Sequence, residues 1–468
     1  MALDCDYLII GTGPAGSVLS CNLADNGSKV ILLDRANNLK KTDKNSFIFS
    51  PYIENCPDYY TPLFSNQLGG NSALWNNKVY LISEDEFKSG DWGFGYNELI
   101  ENSKELAKKF KINHDEISKI IKKNKLNYSQ SKRVKKFGNI FDFLKIKDKS
   151  NIQVFSNSSP IGLNIKNNKI ISAKVFFKDY NEKKDININK DIIFCAGGLG
   201  NPAIIKNLIY NDDNLIGKNL CDHAHINLAE IKKENLKSYS YFGKYFINDN
   251  DNNLEQNLYI KDDEYFAGVN FDFLPDPARI LKRIFIKSRS SISKYVLKIL
   301  IKYYSFSYKV FSKILSILNI KGKYSFEFFF SQKKNTHNNL EINHNKIDSF
   351  GLKKLNINWN INKEEQLNYE KLINELVGEN GKLVKTNKEY LFDKKKIFVG
   401  LHPSCTTHIG KDNINGCVDN NLKLFNYDNI YVSGSSVFSI NGFTNPTWTI
   451  MVLSHRLSKF LLNKNKSN

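Results

Sequence analysis

The stretch "DYLIIGTGPAGSVLSCNLADNGSKVILLDRA", residues 6–36, limits the possible folds more than any other part of the chain. An apolar run, a glycine-rich turn, a helix-length segment and a second apolar run predict a strand–helix–strand unit. Gly11, Gly13 and Gly16 are spaced as GxGxxG. In that pattern the first glycine makes the tight turn. The second lets a pyrophosphate approach the backbone, and the third lets the helix pack on the strand. The helix N-terminus then faces the phosphates. Asp34 ends the second apolar run, 23 residues after Gly11, where an acid hydrogen-bonds a ribose hydroxyl. The unit therefore predicts a Rossmann-like α/β domain that binds a dinucleotide, without choosing between NAD and FAD.

Composition excludes several alternatives. With 468 residues and 41% hydrophobic content the chain can build a large core in two or three domains. The formal charge of +19 does not by itself indicate nucleic acid, because Lys, Asn and Ile crowd the whole sequence; nucleic-acid binding is not expected. Seven scattered cysteines, with no CxxC pair, read as free thiols in a reducing compartment. The first residues enter a strand without a basic, apolar leader, so no signal peptide is expected. No 18-residue apolar window exists, and no spanning helix is expected. These features predict a cytoplasmic protein.

Four later segments carry a resemblance. They are "LGGNSALWNNKVY" (68–80), "DIIFCAGGLGNPAII" (191–205), "LIGKNLCDHAHI" (215–226), and the stretch from "LHPSCTTHIG" to "NIYVSGSSVFSINGFTNPTWTIMVLSHRLSKFLL" (401–462). With the GxGxxG they occur in an order that resembles the glucose–methanol–choline (GMC) family of FAD-dependent oxidoreductases. Trp75 after "GGNSAL" is nearest the sugar-oxidising, pyranose-oxidase-like branch. The resemblance covers roughly 1–225 and 335–468 and leaves the middle unread. It implies FAD as cofactor and a substrate cap beside the FAD domain. It implies close backbone approach to the flavin at Gly69 and Gly70, with Ser72 and Asn76 at the same turn, and again at Ala196, Gly197 and Gly198. Gly434 stands where many members have an acid, which leaves Ser435 or backbone amides for the ribityl contact. A histidine that carries covalent FAD in some members falls at Leu74, so the flavin is expected to be non-covalent.

"LHPSCTTHIG" packs His402, Cys405 and His408 into seven positions. A zinc site needs further ligands, and the seven residues offer none. A cysteine nucleophile would use Cys405, where the family places no chemistry. The general-base reading fits better. Alcohol oxidation removes a hydride from carbon and a proton from oxygen, and a histidine titrates near working pH. By resemblance His402 takes that proton and Asn445 holds the substrate oxygen, whereas His408 is structural. Asn445 is also expected as the N-cap of a helix with Pro446 at its first position and Thr447 following, its N-terminus aimed at the flavin. "NLCDHAHI" is expected to buttress the cofactor domain, with His223 not catalytic.

These readings combine into an α/β fold: a discontinuous Rossmann-like FAD-binding domain (1–224 and 395–468) and an α+β substrate cap (225–394) with a mostly antiparallel sheet. "LEINHNKIDSFGLKKLNINWNI" (340–361) should give two cap strands around a turn at Asp348 and Gly351. Residues 279–323 hold 12 Lys or Arg and no acid. Lys294, Lys298 and Lys302 share one helical face, as on a solvated cap helix or a helix lying on an anionic membrane. The expected activity is FAD-dependent oxidation of a sugar- or polyol-like alcohol, with oxygen, a quinone or a carrier protein as electron acceptor. The alternatives are a non-redox lyase of the same fold, or a membrane- or nucleic-acid-binding module with a vestigial flavin site.

Overall fold

The computed structural model describes residues 3–36, 47–73, 75, 77–117, 119–123, 126–134, 137–209, 215–232, 254–262, 265–273, 323–378, 397–399 and 402–464. The basic stretch 279–323, except its last residue, lies outside them, as do Leu74 and Asn76. β1 (Leu3–Ile10), α1 (Pro14–Asp25) and β2 (Val30–Leu33) form the predicted strand–helix–strand unit. β1 runs parallel to β2, with Tyr7 opposite Val30 and Ile10 opposite Leu33. All four residues of β2 are buried, because a continuous apolar run belongs in a sheet covered on both faces. α1 is buried from Ala15 to Ala24. A helix without a polar stripe must be covered on its outer side as well.

The sheet continues with β3 (Ile152–Phe155), β4 (Ser158–Lys166), β5 (Lys169–Phe177), β6 (Glu182–Phe194) and β7 (Ile430–Val432). Its order is β4-β5-β6-β1-β2-β3, with β7 also on β6. β6 pairs in parallel with β1 and β7 and antiparallel with β5. α2 (Gly197–Leu208) starts three residues after β6, and α3 (Thr447–Lys464) covers α1. There Asn22 Nδ2 donates to Ser458 Oγ at 2.9 Å. Residues from both ends of the chain thus build one domain.

A second, eight-stranded sheet stands beside it, and each of its strand pairs is antiparallel. Its order is Ile397–Phe398, Ala224–Lys232, Lys323–Phe330, Phe266–Phe273, Leu254–Lys261, Leu126–Arg133 and Lys78–Val79, with Lys119–Lys123 on the sixth. The sequence reading placed 1–224 with the cofactor, yet this sheet recruits Lys78–Val79 and Leu126–Arg133 from inside that span. The strands Asn339–Ile347 and Lys353–Asn358 form where expected, around Asp348. They join Ile53–Asn55 in a separate three-stranded sheet.

The sheets position the site through one crossing. Ala224–Lys232 begins directly after His223, and Ile397–Phe398 pairs with its first residues. The same two segments stay together beyond the sheet: Cys221 N donates to Ser404 O at 3.2 Å and Ser404 N to Cys221 O at 2.9 Å. Residues 221–226 therefore run antiparallel to 397–398 and to Ser404, which brings two distant histidine motifs face to face.

Candidate active site

A cavity of about 390 Å³ runs between the edge of the parallel sheet and the loops that precede α2 and α3. Its nucleotide end is lined by Gly11, Gly13, Asp34, Arg35 and Tyr52. Gly11 has a φ of +111°, and a Cβ there would lie 2.5 Å from the Cys195 carbonyl oxygen. Gly16 sits behind the cavity wall, where a Cβ would come within 1.9 Å of Gly11 O. Gly13 faces open space and caps α1 without any side-chain hydrogen bond. The first turn of α1 therefore meets the cavity as bare backbone, the arrangement that holds a diphosphate. Asp34 accepts from Thr12 N at 2.7 Å, Thr12 Oγ1 at 2.5 Å and Ala36 N at 2.7 Å. It fixes the glycine turn as well as lining the cavity. Burial pushes its carboxyl up against these bonds, which act to lower it. An open glycine cradle, an uncapped helix start and an acid at the end of β2 fit the ADP half of FAD.

The other end is built by three glycine turns, and not every glycine meets the cavity. Gly70, Ser72 and Trp75 line it, as do Ala196, Gly197 and Gly198. Gly69, expected to pass near the flavin, instead packs against Asn139: a Cβ would sit 1.9 Å from Asn139 Oδ1. Asn139 Nδ2 donates to Leu68 O at 2.7 Å, and Gly69 N donates to Thr12 Oγ1 at 2.8 Å. Ser72 Oγ donates to Gly69 O at 2.6 Å and accepts from Ile140 N at 3.2 Å. Gly434 has a φ of +130° and lines the cavity with Ser435. The Ser435 hydroxyl is engaged with Pro403 O at 2.8 Å, so backbone is what this turn offers a ligand.

Gly198 has a second neighbour besides the cavity. A Cβ on it would lie 2.1 Å from the carbonyl oxygen of Pro403, one residue after His402. Gly198→Ala should therefore push the 402–404 loop away and cost about 1–3 kcal/mol. Chemical denaturation checks the stability and bound-flavin content checks the loop; an unchanged midpoint and full flavin would show that the loop yields freely.

His402, Pro403, Asn445, Pro446 and Thr447 close the cavity. α3 begins at Thr447, and Ile450 N donates to Pro446 O at 2.9 Å. The helix thus starts one residue later than expected for Asn445 as N-cap. Asn445 is left outside the helix, and its Nδ2 lies 3.4 Å from His402 Nε2. His402 Nδ1 lies 3.2 Å from His223 Nδ1, with ring centroids 4.8 Å apart. Asp222 Oδ1 accepts from both backbone amides, His402 N at 3.0 Å and His223 N at 2.8 Å, and Asp222 Oδ2 accepts from Tyr60 Oη at 2.8 Å. Burial holds His402 down to about 3, with His225 and Lys78 acting in the same direction. It holds His223 well below the usual histidine range. Burial also lifts Asp222 to about 6, against the hydrogen bonds it accepts.

His408 turns away from this group. Its Nδ1 faces Cys405 O and its Nε2 faces Asn415 O, both at 3.2 Å, which ties the loop together. Cys405 is fully buried. Among the described residues no three His, Cys, Asp or Glu side chains gather as metal ligands. Sequence reasoning named His402 and Asn445 as a pair, and both line this cavity. It missed the contact of His223 with His402, whose one sequence signal was the histidine-rich "DHAH", and the Tyr60–Asp222 bond, which had none.

Residues 339–454 match the family model described as GMC oxidoreductase. No curated protein sequence matches the chain. Among solved structures, pyridoxine 4-oxidase from Mesorbium loti superposes with a TM-score of 0.65 at 14% identity, covering 98% of this chain and 99% of that one. A formate oxidase variant from Aspergillus oryzae RIB40, examined for FAD modification, gives 0.62 at 14% identity, with 99% of each chain covered. A formate oxidase gives 0.61 at 13%, covering 100% and 99%. These superpositions establish a shared fold. The family match spans the Asp348 turn, His402, Asn445 and the start of α3, and over residues 339–454 the chain is similar to the GMC oxidoreductases.

Proposed function

We propose that the chain oxidises a CH–OH group of a small sugar- or polyol-like molecule, with His402 as general base. The observation that carries this reading is the pair His402 Nε2 and Asn445 Nδ2, 3.4 Å apart in the cavity wall. When bound, FAD supplies the hydride acceptor. His402 is held neutral by burial, so its lone pair is available before the substrate arrives. Negative charge on a reduced flavin near His402 would favour the protonated form of its ring when the hydroxyl proton must move. Asn445 can donate to the substrate oxygen and keep it within reach of His402. Asp222 and His223 lie buried behind them. Oxygen is the acceptor that the oxidase names of the structural relatives favour. The cap, 225–394 by sequence, would select the alcohol. An anaerobic screen of sugars, polyols and simple alcohols tests the reading. Loss of flavin absorbance with one of them is expected, and an oxidised spectrum with every compound would point to non-redox chemistry.

Two finer points rest on sequence alone. Leucine at position 74 cannot form the histidyl link to FAD, so acid precipitation should leave all the flavin in the supernatant. Flavin retained by the pelleted polypeptide would overturn this. The acid-free stretch 279–323 supports docking on an anionic membrane face, each engaged Lys or Arg contributing about 1 kcal/mol. Lys294, Lys298 and Lys302 changed together to Glu should then abolish co-sedimentation with anionic vesicles at low salt. Equal, negligible sedimentation of the parent protein with anionic and neutral vesicles would remove the idea.

A further inference from the structure

The geometry assigns His223 a role in the reaction: it fixes the tautomer of His402 by accepting a hydrogen bond from His402 Nδ1, so that the bare Nε2 faces the substrate. This inference rests on His402 being the base and adds the residue that makes it one.

The assignment follows from what each neighbour can accept. His223 Nε2 lies 3.4 Å from the carbonyl oxygen of Asn441. A carbonyl only accepts, so His223 carries its proton on Nε2. A neutral imidazole has one N–H, and burial keeps His223 neutral. Its Nδ1 is then a lone pair, and it lies 3.2 Å from His402 Nδ1. His402 must donate across that gap, which places its single proton on Nδ1. Its Nε2 is left bare, 3.4 Å from the donor Nδ2 of Asn445. The run Asn441 O, His223, His402, Asn445 is consistent at each contact in this one arrangement. Reversing it would set a lone pair of His223 against the carbonyl of Asn441 and point an N–H of His402 at the place where the substrate proton must arrive.

Asp222 makes the arrangement rigid. One of its oxygens holds the backbone amides of both histidines, and the other takes the Tyr60 hydroxyl. The backbones of the two histidines are therefore held by the same carboxylate, and turning either ring breaks the Nδ1–Nδ1 contact. The titratable groups around the pair are Asp222, His225 at a ring separation of 6.2 Å from His223, and Lys78. His223 is a positioning residue in this scheme: it acts through His402 and lies outside the residues that line the cavity.

The test is a long-range ¹H–¹⁵N correlation on FAD-loaded protein with ¹⁵N-labelled histidine, with the His402 and His223 signals assigned from His402→Asn and His223→Gln. Between pH 6 and 9 His402 should show a protonated Nδ1 and an unprotonated Nε2, and His223 the reverse. A protonated Nε2 on His402 overturns the inference, whatever the activity. The kinetic arm uses two variants. His223→Leu offers no acceptor and should lower the limiting rate of anaerobic flavin reduction about 10-fold or more, with the substrate concentration for half-maximal rate little changed. His223→Gln offers a carbonyl oxygen to Nδ1 and should recover most of that loss. Equal rates for the Leu and Gln variants, at equal flavin content, would count against His223 even if both are slow. The two assignments can fail separately. If His402→Ala reacts at the parental rate while the spectrum shows Nδ1–H on His402, the base assignment is lost and the tautomer relay stands. If His402→Ala is slow and the spectrum shows Nε2–H, the relay alone is lost.

Discussion

His402→Ala should slow anaerobic flavin reduction by about 10²–10⁴-fold at saturating substrate while the protein stays yellow. The rate falls because the proton of the alcohol then has no acceptor beside it. Asn445 Nδ2 can only donate, and the His223 ring behind lies outside the cavity lining. The colour stays because the groups that fit FAD are elsewhere: the glycine turn at Gly11 and Gly13, the first turn of α1, and the turns at Gly70, Gly197 and Gly434. Asn445→Ala should cost less, since it removes orientation but leaves the base. Stopped-flow absorbance under saturating alcohol gives the limiting rate directly. A His402→Ala protein that is reduced as fast as its parent would exclude the general-base role.

The parts legible in the sequence are those whose causes are local. A GxGxxG turn is demanded by backbone conformation within six residues, and the apolar runs on either side report burial on both faces of a parallel strand. The glycines show where this kind of inference stops. A glycine indicates that something comes close; it does not say what. At Gly69 the neighbour is Asn139, and at Gly198 it is the Pro403 carbonyl. The family motif supplied His402 and Asn445 as a pair. What remained unread are contacts across long separations with no local pattern. His223 meets His402 across 179 residues and Arg35 meets Asp348 across 313. Both contacts depend on how strands from distant segments pair, and single-segment periodicity carries no record of that. The start of α3 was misplaced by one residue for a local reason: Asn and Pro both favour a helix start, and the Asn445 side chain is used by His402 instead.

Removing the carboxylate of Asp348 should be the most damaging single change away from the catalytic pair. Arg35 follows Asp34 at the end of β2 and is nearly buried, as is Asp348; both side chains are 4% exposed. Arg35 Nη1 donates to Asp348 Oδ2 at 2.5 Å and Nε to Ser159 Oγ at 3.0 Å. Its guanidinium lies 4.6 Å from the Tyr52 ring centroid and 4.8 Å from that of Phe350. The other Asp348 oxygen accepts from Phe350 N at 2.8 Å and Leu352 N at 3.0 Å. One carboxylate thus shapes the hairpin turn and neutralises the cation. Asp348→Ala should cost about 3–5 kcal/mol, because it strands a buried charge. Asp348→Asn should cost less, since the amide oxygen can still hold the turn. Flavin should also bind more weakly in both, because Arg35 and Tyr52 line the nucleotide end of the cavity. The double change Arg35→Met with Asp348→Leu separates charge from packing. It removes both ions and fills the space between the two rings, so it should be more stable than Asp348→Ala alone. Denaturant titration of the four proteins, with flavin fluorescence followed in parallel, ranks their stabilities. A double variant less stable than Asp348→Ala would mean that Arg35 acts there by packing, and the pair would not be holding the hairpin to the cofactor domain through charge.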